Sequence, residues 1–192
     1  MATAEKNKKS ADKELVDDPS FCISRCTGFC CKEYTVLITS LDVRRILDNI
    51  PGINVCNFVV FYNGDVETLN YYPKILIKGE EYCLGMHVSD KLGGCIFQTG
   101  LGICGIHTCS PMVCQTYPWT MDENEDLITM DNVLCANRFM PGNPESTKAT
   151  IRKSWEEIEV YTKKAQEWNE KYGHDMTKDT DDFLQFVDCW TD

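Results

Sequence analysis

No stretch of this chain approaches the ~18 uninterrupted apolar residues that a membrane-spanning helix requires, and the segment Met1 to Ser20 lacks the apolar core of a secretory signal. Basic residues are outnumbered: Lys and Arg total 19 against 30 Asp and Glu, for a formal net charge of −11 at pH 7. A surface of that sign repels nucleic acid and anionic membranes, so neither is expected as a partner. The phosphate-cradling GxxxxGK[ST] loop, the GxGxxG dinucleotide signature and the zinc-protease HExxH are all missing. There is no fixed-period repeat and no low-complexity segment. These absences leave a cytoplasmic protein that spans no membrane, has no catalytic constellation and names no small-molecule substrate.

What the sequence does have is sulfur. Twelve of its 192 residues are cysteine, in a chain whose 43% apolar and 26% charged content is that of an ordinary globular protein. In a reducing compartment such a density signals metal or redox chemistry more than structural disulfides. The cysteines form two blocks. The first reads Cys22-x3-Cys26-x3-Cys30-Cys31; the second runs through Cys95, Cys104, Cys109 and Cys114, with Cys135 beyond it. Crowded thiolates repel one another unless a cation shares their charge, and a bound cation strips the thiol proton. Gly28, Gly93, Gly94, Gly100, Gly102 and Gly105 let backbone N–H groups approach sulfur, as they do around iron–sulfur clusters.

The spacing fits neither paired zinc knuckles nor the common ferredoxin runs. Adjacent side chains diverge, so Cys30 and Cys31 are expected to ligate different irons, or two neighbouring clusters. The metal ligands expected are Cys22, Cys26, Cys30, Cys31, Cys95, Cys104, Cys114 and Cys135, with Cys109 as a possible addition. One or two 4Fe-4S clusters, or a fused eight-iron unit, would use that number; zinc is the alternative. Cys56, Cys83 and Cys189 read as core or helix-face residues, and His107 as a partly exposed neighbour of the second block.

Phe29-Cys30-Cys31, Val36-Leu37-Ile38-Thr39 and Arg44-Arg45-Ile46, followed by Gly94-Cys95-Ile96-Phe97, Gly102-Ile103-Cys104-Gly105-Ile106-His107, Pro111, Cys114 and Tyr117-Pro118, resemble the YkgJ-like (CxxCxxCC) cysteine-cluster family. The resemblance covers roughly Cys22 to Cys135. Here the first cysteines stand three apart instead of two, Ser110-Pro111 replaces an Arg-Pro, Ile106-His107 replaces an Ile-Tyr, and Cys109 is extra. The resemblance implies a zinc- or iron-binding site of a kind frequent in anaerobes, including methanogenic archaea. It does not imply an activity.

Local patterning predicts an α+β fold: small antiparallel hairpins and loops around a metal centre, with a long amphipathic C-terminal helix. Residues 1–18 read as a flexible charged tail, 19–140 as the cysteine-cluster domain and 141–192 as a helical extension. Strands are expected at Tyr34 to Ile38, at Val55 to Tyr62 with a return at Val66 to Tyr72 around Asn63-Gly64, and in hairpins turning near Lys78-Gly79-Glu80 and Asp122 to Asp126. A helix capped by Ser40 should run to Ile50. Asn143 and Pro144 should start a helix ending at Gly173, with Ile151, Trp155, Ile158, Tyr161, Ala165, Trp168 and Tyr172 as its apolar stripe and the pair Glu156-Glu157 in solvent. A last helix should start at Thr180 or Asp181 and reach Trp190. Its Phe183, Phe186 and Trp190 are candidate partner contacts, because aromatics gather at interface centres.

The function expected is that of an iron–sulfur accessory protein, redox- or oxygen-responsive, docking on and modulating or protecting a larger enzyme complex of anaerobic metabolism; the family resemblance points to a methanogen metalloenzyme or methyltransferase. The alternatives are a small acidic electron carrier and a zinc-stabilised structural module, with an enzyme last.

Overall fold

Lys78 and Gly79 both take positive φ, 55° and 84°, which is the geometry of a two-residue turn that matches strand twist. The turn joins β3 (Ile75–Ile77) to β4 (Glu80–Met86) in antiparallel register. In this computed structural model β4 also pairs antiparallel with β2 (Val59–Asn63), giving a three-stranded sheet of order β2-β4-β3. The structure describes residues 16–17, 28–63, 72–91, 93–99, 102–130, 133 and 139–190, with backbone alone at 16–17 and 139–140. The expected return strand from Val66, most of the N-terminal tail, and Cys22, Cys26 and Cys135 lie outside them.

Three smaller pairs surround that sheet. β1 (Val16–Asp17) lies parallel to β9 (Phe139–Met140); β5 (Val88–Ser89) pairs with β6 (Gly94–Cys95), and β7 (Trp119–Met121) with β8 (Leu127–Thr129), both antiparallel. The hairpins at Lys78 and at Asp122 to Asp126 are thus where the pattern puts them. Tyr34 to Ile38 forms only a single bridge, Leu37 to Gly85, and Val55–Asn57 is a 3-10 turn that precedes the strand. The first cysteine block, expected to be irregular, carries α1 (Phe29–Glu33), and the second carries α3 (Met112–Thr116). Five residues are too few for a readable helical period.

α2 (Ser40–Asn49) is capped by Thr39, one residue before the expected Ser40. The Thr39 hydroxyl accepts from the Asp42 N–H while the Asp42 carboxylate accepts from Thr39, a reciprocal capping box. α4 (Pro144–Tyr172) starts on Asn143 with proline in its first turn, and Gly173 stands at its C-cap. α5 (Thr180–Phe186) is capped by Asp179 and is shorter than expected.

α4 docks on the outer edge of the sheet. Asn169 accepts from Leu76 N–H at 2.7 Å and donates to Lys74 O at 2.8 Å, and Trp168 Nε1 donates to Leu76 O at 2.8 Å. Edge groups of β3 are thereby satisfied. Trp168, Tyr161 and Ala165 enter one core with Ile38, Ile46, Phe58, Ile75, Leu84 and Met86, so the segment from 141 onwards shares its interior with the cysteine-bearing segment.

Two expectations about α4 and α5 are corrected. Trp155 is 48% exposed, and Ser154 and Glu157 are buried in its place, because Arg45 on α2 draws Glu157 inward as an ion-pair partner. Phe183 is fully buried, its ring edge-on to Trp168 at 5.3 Å and to Phe61 at 6.0 Å. It therefore stabilises its own chain and presents nothing to a partner. Phe186 lies tilted against Trp168 at 5.5 Å and edge-on to Tyr172 at 6.1 Å, and Trp190 packs half-buried against the same core.

Candidate metal centre

The left-handed turn at Gly28 (φ 71°) launches α1, and Cys30 and Cys31 follow within its first turn. β6 delivers Cys95. A short loop closed by Thr99 N–H to Ile103 O (2.8 Å) and Gly105 N–H to Phe97 O (2.8 Å) returns the chain to Cys104. α3 supplies Cys114. These five cysteines line one cavity of about 330 Å³, with His107 also on its wall. Tyr34 and Tyr117 also line it, their rings edge-on at 5.6 Å. Elements separated by up to 84 residues in sequence thus converge on a single space.

The five thiols, all free of disulfides, act on each other. Cys31 hydrogen-bonds Cys30, which lowers the Cys30 thiol from 9.0 to about 7 and raises that of Cys31. Both members of this adjacent pair line the same cavity. Burial raises the Cys95 and Cys104 thiols, opposed in part by the backbone N–H groups of Phe97 and Ile106, which reach the respective sulfurs. Cys114 is pushed well up by burial and then by Cys95, Cys30 and Cys104. Apart from the Cys30–Cys31 hydrogen bond, charge repulsion between the nearby sulfurs raises their pKa values, a penalty that a bound cation reverses.

Among the described residues no three His, Cys, Asp or Glu side chains are grouped closely enough to hold one metal ion.

The remaining cysteines are elsewhere. Cys109, the possible extra ligand, is 3% exposed within the main core and off the cavity wall. Cys83 and Cys189 are fully buried, as core residues should be, whereas Cys56 is exposed on its 3-10 turn. Two contributors escape the sequence reading. Gln98 is a 4% exposed amide between the two cysteine blocks. Asp42 is 2% exposed and accepts from Thr39 N, Thr39 Oγ1, Arg45 Nη1 and Met112 N. A lone glutamine in a loop carries no pattern; Asp42 was legible only as the third residue after a helix cap.

Compared with protein-family models, curated proteins and solved structures, the chain matches none.

Proposed function

We propose that this chain binds an iron–sulfur cluster through Cys30, Cys31, Cys95, Cys104 and Cys114, with Cys22, Cys26 and Cys135 as further ligands, and serves as an accessory protein to a larger cytoplasmic enzyme complex. The observation that carries the reading is the convergence of five free thiols on the wall of one cavity. Backbone N–H groups aimed at Cys95 and Cys104 support it, since such donors set cluster potentials. The YkgJ-like resemblance carries the association with anaerobic metabolism, and a methanogen metalloenzyme or methyltransferase is the partner class it suggests.

A change of cluster charge on oxidation alters the electrostatics of the adjoining surface, where Phe29 is 48% exposed beside Cys30. The accessory role follows from that coupling: the redox state of the cluster biases docking.

Anaerobic purification followed by iron and sulfide counting tests the cofactor. At least about two irons per chain and a brown absorbance are expected, since every cluster type at issue carries that many. Stoichiometric zinc in a colourless protein, or an iron-free cavity after reconstitution, would overturn the reading. Pull-downs performed with and without air test the role: different partner sets are expected, and identical sets refute the switch. A reversible couple with fast exchange to an isolated redox donor would favour the electron carrier instead.

A further inference from the structure

We propose that Gln98 is the positioning residue that assembles the cysteine cavity before metal arrives; this rests on the cluster reading for what the cavity holds, but not for how it is built. Gln98 stands between three cysteine-bearing segments. Its Nε2 donates to Gly28 O at 3.1 Å, two residues before Cys30. Its backbone N–H donates to Cys95 O at 2.9 Å, and its own residue bridges to Cys104.

The two glycines that flank the amide make room for it. A Cβ on Gly28 would lie 2.1 Å from Gln98 Nε2 and 2.7 Å from Gly102 O. A Cβ on Gly94 would lie 3.0 Å from Gln98 Oε1 and 2.7 Å from Cys31 O. Both glycines are therefore required by close approach, and what they approach is the Gln98 amide and the backbone carrying Cys31.

The chemistry of that single contact explains the residue type. Gly28 O accepts from Cys31 N–H at 3.1 Å within its own turn; the Gln98 amide adds a donor from a different segment, without adding charge near thiols that already repel. A lysine would add a competing cation, and a carboxylate would face the carbonyl with no proton to give. Losing the Gln98 donor removes this tie between segments and frees the Gly28–Cys31 segment from the Cys95–Cys104 loop. Cys30 and Cys31 then lose their place relative to the other sulfurs, while the distant core keeps its packing.

The test uses the full chain and compares wild type with Gln98→Glu and Gln98→Met, each chelator-stripped under reducing anaerobic conditions. Iodoacetamide labelling at pH 8 is read by mass spectrometry at each cysteine, with exposed Cys56 as the internal reference. Cys30 and Cys31 are expected to label about tenfold faster in both variants, and buried Cys189 at the wild-type rate. If Cys189 speeds up as much as Cys30, the whole fold depends on Gln98 and the positioning role is overturned. Iron reconstitution of the same proteins then separates the two claims. Selective exposure of Cys30 and Cys31 with no iron uptake even by wild type keeps Gln98 and removes the cluster. Iron uptake with unchanged labelling and an unchanged visible spectrum in the variants keeps the cluster and removes Gln98.

Discussion

Asp42 Oδ1 accepts the backbone N–H of Met112 at 2.8 Å across 70 residues of sequence. One carboxylate thereby caps α2 and anchors the helix that carries Cys114, so the floor of the cysteine cavity is tied to the first long helix. The same Oδ1 accepts from Arg45 at 2.6 Å, and Arg45 reaches on to Glu157 of α4. Burial disfavours the Arg45 charge, but hydrogen bonding to Glu157 and the adjacent Asp42 outweigh it and raise its pKa overall.

Asp42→Ala is expected to cost about 3–5 kcal/mol, because it orphans Arg45 and several buried donors at once. Urea unfolding measures the loss. In the folded variant Cys114 should also alkylate faster than in wild type. A cost below about 1 kcal/mol would mean that the network is not a structural tie.

Arg45→Met is expected to be more damaging than the double variant Arg45→Met/Glu157→Leu. The single change leaves Glu157 buried without its close partner, whereas the double change replaces the pair with apolar groups. Denaturant midpoints for the two proteins decide the order, and an equal or larger loss in the double variant contradicts the argument.

Cys114→Ser and Cys109→Ser separate ligand from core. Iron per folded chain, after anaerobic reconstitution, should fall with Cys114→Ser and hold with Cys109→Ser, since Cys114 faces the cavity and Cys109 lies in the apolar interior. Cys109→Ser should instead lower stability, by about 1–3 kcal/mol, for placing a hydroxyl in the core.

Cys189 sets a pH dependence at the alkaline end. Its thiol lies at hydrogen-bonding distance from Ser40 O (3.2 Å), and burial pushes it from 9.0 up to about 12. Between those values the unfolded chain releases a proton that the folded chain retains. Stability from this group is therefore complete below pH 9 and is lost as pH rises towards 12, by at most about 1.4 kcal/mol per pH unit. Unfolding measured from pH 8.5 to 11 should show a shallower fall in Cys189→Ala than in wild type. Parallel slopes would refute the assignment.

The elements that the sequence announced are those whose signals are local. Lys78-Gly79 states its turn because only certain residues accept two positive φ angles, and Asn143, Pro144 and Gly173 mark the ends of α4 through capping chemistry that acts within one turn. The apolar stripe of α4 was legible from Tyr161 to Trp168, where nothing competes with hydrophobic burial. It failed at Trp155 and Glu157, since the attraction of Arg45 comes from a helix 112 residues away. Phe183 read as a docking residue for the same reason: the surface that receives it is assembled from Phe61 and Trp168, on different elements.

The site divides in the same way. That many cysteines were meant to meet was readable from their number and crowding, because mutual repulsion of thiolates does not depend on the fold. Which of them meet was decided only by tertiary structure. Packing turned Cys109 into the core and Cys114 into the cavity, although both sit in one short segment. It also placed Cys30 and Cys31 on the wall of the same cavity. Composition and capping are properties of neighbours along the chain; a cavity wall is a property of segments that find each other, and the groups that hold them together, Gln98 and Asp42, bear no mark in the sequence of the contacts they make.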